Sequence, residues 1–177
     1  MITARQKRNE NIMEYMLYMW QIEDMIRACH LDKDEIETRI ISQYDLPEDT
    51  KREVRQWYGE LADMMRAEGI AEKGHIQINR NVMAELTNLH HRLLRDPKET
   101  VYGSLYYHTL PAIVQLRAKS GGEPDVSEIE TCFIGVYGYF LLKMQGKDVS
   151  AETHEGIKQI SNLLTFLTAK YHEGENL

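Results

Sequence analysis

Two charged groups stand where the surrounding pattern calls for hydrocarbon. On a helix from Thr3 to Cys29, placed at about 100° per residue from Ile12, Glu23 falls at about 20° and Arg27 at about 60°. Both lie inside an apolar arc that also holds Tyr15, Met16, Met19, Trp20, Ile22 and Ile26. A carboxylate four residues before a guanidinium can form an ion pair. If that pair is buried it needs further hydrogen bonds, because taking each ion out of water is costly. The pair therefore anchors a polar pocket or a subunit interface, or else serves as a structural intrahelical pair tied to neighbouring tyrosines or backbone.

A second polar set lies further along. His75, Asn79 and His90 fall at about 20°, 60° and 80° from Val82 on a helix, the side that carries Leu86 and Leu93. Together with Glu23 and Arg27 they outline a ligand-binding site for a small polar or acidic molecule between two helices. Two imidazoles and an amide have no unique chemistry, so satisfied core or boundary groups are the competing reading. No residue is assigned a catalytic role.

Metal chemistry finds little support in the spacing. The only Glu-x-x-His is Glu72 to His75, and it straddles Gly74. There is no H-E-x-x-H, no C-x-x-C and no EF-hand loop. The adjacent His90 and His91 diverge by about 100° on a helix and do not easily share an ion. G-x-S-x-G, the Walker A loop and G-x-G-x-x-G are also absent, so neither a metal nor a cofactor is expected. Tyr102, Tyr106 and Tyr107 line a ligand cavity or, more simply, supply core and interface aromatics. Gly135 and Gly138 fall inside an apolar helix, where close packing is the expected role.

These groups must be positioned by helices. The chain has 177 residues with only four prolines and eleven glycines, and no segment alternates with the period of a strand. The expectation is an all-α, single-domain helical bundle of about six or seven helices over residues 1–171, with a frayed tail at 172–177. After a first helix from Thr3 to Cys29, Asp32 and Glu35 form a capping box with Leu31 and Ile36 as its hydrophobic staple. Helices follow from Pro47 to Gly69, from about Ile76 to Arg95, and from Thr100 to Lys119, where Pro111 should kink or divide the last. A linker spans Ser120 to Pro124. Asp125 with Glu128, or Ser127 with Glu130, then caps an apolar helix near 127–145 that reads as the centre of the bundle. The final helix carries Ile157, Ile160, Leu164, Leu167 and Tyr171 on one stripe.

Charge and cysteine content bound the function. Against 28 Asp and Glu stand 21 Lys and Arg, a net charge of −7 that argues against general affinity for nucleic acid or anionic membranes. No stretch is apolar enough to span a bilayer, and no signal peptide is expected. Cys29 and Cys132 read as buried thiols of a cytoplasmic protein. The broad arc of the first helix, and Phe166 lying off the final stripe, suggest a homodimer. The leading reading is a non-enzymatic interaction or scaffold protein with a possible protein partner. The alternative is a binder of, or weak enzyme on, a small polar or acidic molecule in an interhelical pocket.

Read as phrases, KRNENIMEYMLYMWQIEDMIRAC (Lys7 to Cys29), RQWYGELADMMRAEG (Arg55 to Gly69), EKGHIQINRNVMAELTNLHHRLL (Glu72 to Leu94) and LPAIVQLRAKSG (Leu110 to Gly121) resemble a domain-of-unknown-function family of Bacteroidetes. The resemblance covers nearly the whole chain. It implies a bacterial, cytosolic, all-helical protein and transfers no activity, cofactor or catalytic residue.

Overall fold

The structure, a computed structural model, describes residues 2–119 and 126–175. Among these it contains eight α-helices, one short 3-10 turn at Ile41–Gln43 and no strand. The helices are α1 (Ile2–Glu10), α2 (Ile12–Ala28), α3 (Lys33–Arg39), α4 (Glu48–Ala67), α5 (Gln77–Arg95), α6 (Thr100–Lys119), α7 (Glu128–Met144) and α8 (Ala151–Glu175). The chain is all-α, as the periodicity predicts. It divides into two compact units, Met1–Asn81 and Val82–Leu177, with α5 beginning in the first and continuing in the second.

In the first unit the expected opening helix is two helices. Asn11 adopts an extended backbone, and its side chain accepts a hydrogen bond from the Glu14 N–H at 3.2 Å. Asparagine is a strong N-cap because its short amide satisfies a donor that the helix itself leaves free. Periodicity alone does not register such a break. The wide arc of α2 is real: Ile12, Tyr15, Met16, Met19, Trp20, Ile22, Glu23 and Ile26 are all buried. Packing against α1 and α4 covers much of it within the chain. Asp32 caps α3 through the N–H groups of Asp34 and Glu35, both at 2.9 Å, while the staple residues Leu31 and Ile36 are buried.

In the second unit α6, α7 and α8 pack against one another. Pro111 does not divide α6. It is exposed, so the carbonyl four residues earlier, on the exposed Tyr107, loses its helical donor on the side that water can reach. Ser127 caps α7 by accepting from the Glu130 N–H at 3.1 Å. Asp125 and the Ser120–Pro124 linker lie outside the described residues. The first half of α7 buries Ile129, Cys132, Phe133 and Gly135. Gly135 has the expected packing role, since a Cβ there would collide with Leu116 and crowd Ile157. Gly138 does not, because nothing approaches within 4 Å of where its Cβ would stand. Ile157, Ile160, Leu164 and Leu167 of α8 are buried as the stripe predicts, and the helix continues to Glu175, four residues into the expected tail. Phe166 lies beside Tyr102, ring centroids 5.8 Å apart, and so has a neighbour in its own chain.

Candidate functional site

The order of events at the start of α5 explains Glu23. Ile76 supplies the first helical carbonyl, accepting from the N–H groups of Asn79 and Arg80, yet an isoleucine side chain cannot cap a helix. The free donors there are taken by carboxylates from elsewhere. Glu23 Oε1 accepts from the Ile76 N–H at 3.1 Å, and Glu68 Oε2 accepts from the Gln77 N–H at 2.7 Å. Asn79, one turn into the helix and fully buried, donates its Nδ2 to the same Glu23 Oε1 at 2.8 Å and accepts from the Tyr15 hydroxyl at 3.3 Å. His75 Nδ1 lies 2.5 Å from Glu23 Oε2.

Glu23 is thus a carboxylate without solvent exposure, holding three partners on two oxygens at the positive end of a helix. That is the set of compensations a buried anion requires. His75 is fixed twice, by this bond and by stacking on Trp20 with centroids 4.2 Å apart and planes 11° from parallel. Burial, reinforced by the charge of Glu23 and opposed by Arg8, pushes the Tyr15 hydroxyl above its usual pKa.

Arg27 does not pair with Glu23. Its Nη1 donates to Asp24 at 2.9 Å, its Nη2 donates to the Gly74 carbonyl, and its Nε makes a longer contact of 3.4 Å to the Ile70 carbonyl. Gly74 has φ of 94°, a left-handed conformation that other residues rarely adopt. The expected intrahelical pair is therefore two separate ties: Glu23 caps α5, and Arg27 holds the turn leading to it. A fork with several donors satisfies loop carbonyls better than it would serve a carboxylate that backbone already occupies.

His90 belongs to a different cluster, in the second unit. Its Nδ1 is 2.6 Å from the Tyr102 hydroxyl and its Nε2 is 3.6 Å from Glu128 Oε2, which also accepts from the Tyr106 hydroxyl at 2.8 Å. A neutral ring that accepts from Tyr102 at Nδ1 carries its proton on Nε2, toward Glu128. Burial pushes the His90 pKa down, His91 adds to this, and Glu128 partly opposes it. Burial likewise raises Tyr102, and raises Tyr106 to about 12 with help from its bond to Glu128. Of the tyrosine trio, Tyr102 and Tyr106 are core groups with their hydroxyls tied and Tyr107 is exposed.

Of the five residues picked from sequence, then, Glu23, His75 and Asn79 form one network, Arg27 braces the adjoining turn, and His90 joins Tyr102 and Glu128. Sequence reasoning missed Glu68, Tyr15 and Glu128. A signal was present for the first: G-H-I-Q-I-N lacks any Ser, Thr, Asp or Asn before its first turn, which leaves donors that only distant acceptors can satisfy. Among the described residues no group of three or more His, Cys, Asp or Glu is arranged to hold a metal ion, and no helix is long and apolar enough to cross a membrane.

These features define an all-helical protein whose inward polar residues largely serve to join and start helices. The chain belongs to the family described as Domain of unknown function (DUF4924), which matches residues 1–176. No curated protein and no solved structure matches it.

Proposed function

We propose that the chain is a non-enzymatic interaction protein that pairs with a second copy of itself through the second unit. One observation carries this reading. Of the eight large apolar side chains left exposed among the described residues, seven lie on the consecutive helices α6 and α7: Val101, Tyr107 and Val114, then Ile134, Phe140, Leu142 and Met144. On α7, Phe140 and Met144 share one face of the helix, while Ile134 and Leu142 flank Gly138 on the opposite one. With about 150–200 Å² for a fully exposed side chain of this size, exposures of 42% at Phe140 and 63% at Met144 leave on the order of 200 Å² of apolar surface on their face of α7. A stable dimer buries about 800 Å² per partner. The interface therefore takes in the α6 residues as well.

The arc of α2 and Phe166 both have neighbours within the chain and stand outside this surface. Both cysteines are free and buried, which supports a reducing, cytoplasmic setting. Light scattering at micromolar concentration tests the proposal. The wild type should run at twice 20.7 kDa and Phe140→Asp combined with Met144→Asp at 20.7 kDa, with unchanged far-UV circular dichroism. A wild type found only as the 20.7 kDa species overturns it.

A second reading, a small polar or acidic ligand at the first-unit network, rests on His75. A quarter of that side chain (26%) remains exposed while Glu23 fixes its Nδ1. Titrating acidic metabolites against the His75 ring resonances tests it, and resonances that stay put with every ligand count against it.

A further inference from the structure

A cavity of about 420 Å³ opens in the first unit beside α3 and α4, within the size range of small-molecule sites. Ile36 and Ile41 close its floor but are almost fully buried, and the apolar surface within a ligand's reach is that of the methylene stems of Lys33 and Arg55. Around it stand two cations, Lys33 and Arg55, and two carboxylates, Asp34 and Glu37. Arg55 donates to Glu37 through Nε at 2.6 Å and Nη2 at 2.8 Å, and Lys33 donates to Asp63 at 2.7 Å. These pairs are exposed by between 38% and 58%, so water already competes for them and a ligand can exchange with them at small cost.

Gly59 also lines the cavity, in the interior of α4, where glycine weakens a helix relative to alanine. The fold makes no demand for it. No left-handed backbone is involved, and a Cβ would meet only the Lys33 side chain, at 3.7 Å and beyond, which is ordinary contact. What the missing side chain does is keep the wall between Lys33 and Arg55 open.

We propose that this cavity binds a small zwitterion with an apolar side chain, either a neutral α-amino acid or a short peptide. The ligand carboxylate takes the Arg55 fork and the Lys33 ammonium, in the place that Glu37 now fills. Its ammonium meets the released Glu37 and Asp34. Its side chain lies over Gly59 along the methylene stems of Lys33 and Arg55. The site is independent of self-association by the second unit.

The test is a ¹⁵N NMR titration of the full chain with leucine, phenylalanine and Leu-Leu, beside N-acetyl-leucine and leucinamide, which each lack one charge. Saturable shifts confined to residues 33–41 and 55–59 are expected with the zwitterions. Each half-charged probe should bind about tenfold more weakly, and comparison of leucine with Leu-Leu separates amino acid from peptide. Arg55→Gln should weaken binding and Gly59→Leu should abolish it. Gly59→Ala should weaken binding while melting about 2 °C higher. Any of three results overturns the proposal: no saturable shift up to about 10 mM ligand, half-charged probes that bind as well as the zwitterions, or a Gly59→Ala chain that melts below wild type.

Discussion

Replacing Glu23 by alanine and by glutamine separates the cap from mere burial. Alanine leaves the Ile76 N–H and the Asn79 amide, both in fully buried surroundings, without their acceptor, whereas His75 can turn to water. Each buried donor so stranded costs about 1–3 kcal/mol, and the lost charge at the helix start adds about 0.5–1 kcal/mol. The expected destabilisation is therefore about 4 kcal/mol. Glutamine keeps a carbonyl oxygen for Ile76 and Asn79 and offers its amide to His75 Nδ1, which can accept in the other tautomer. Only the charge assistance is lost, at about 1–2 kcal/mol. Both tryptophans, Trp20 and Trp57, lie in the first unit, so their fluorescence in a urea titration reports the unit that contains the cap. An alanine variant within about 0.5 kcal/mol of wild type would show that Glu23 is solvated. A glutamine variant as damaged as alanine would show that charge, not bonding geometry, is what matters.

Titration of His90 and packing at two glycines carry three further predictions. His90 has a depressed pKa when folded, so the unfolded chain binds its proton first, and folding stability is complete above about pH 6.5 and declines as pH falls below it. His90→Gln should remove up to about 1.4 kcal/mol per pH unit from that slope in urea titrations run between about pH 5 and 7; equal slopes for the two proteins would contradict the burial argument. Gly135→Ala should destabilise by about 1–3 kcal/mol because its Cβ meets Leu116 and Ile157. Gly103→Ala, with nothing within 4 Å, should stabilise by about 0.5–1 kcal/mol. Calorimetric melting of the pair checks both signs.

Much of the fold was legible because it is local. The Asp32 and Ser127 caps and the α8 stripe each depend on residues a turn or two apart, whereas the expected box at Asp32 does not close, because the Asp32 N–H bonds the Cys29 carbonyl and Glu35 turns to His30 and Arg39. The break at Asn11 was hidden, since a cap residue inside an apolar pattern changes the chain direction without changing the period. The site was legible in part. Burial of Glu23 and Asn79 was implied by their place on apolar faces, but their partners come from another helix or the turn before it, and helix angles do not say which helices meet. Arg27 was misassigned for the same reason: its sequence neighbour at four residues was in view, and the carbonyls of Ile70 and Gly74 were not.

The claim that Glu23 starts α5 is tested most directly by amide hydrogen exchange at Ile76. With its N–H bonded to a buried carboxylate, Ile76 should be protected in the wild type nearly as well as the interior of α5, although it precedes the first helical residue. In Glu23→Ala that protection should fall by at least about a hundredfold, the equivalent of about 2.7 kcal/mol, while amides around Leu89 keep theirs. An Ile76 amide that exchanges at loop rates in the wild type, or that is equally protected in Glu23→Ala, would contradict the account.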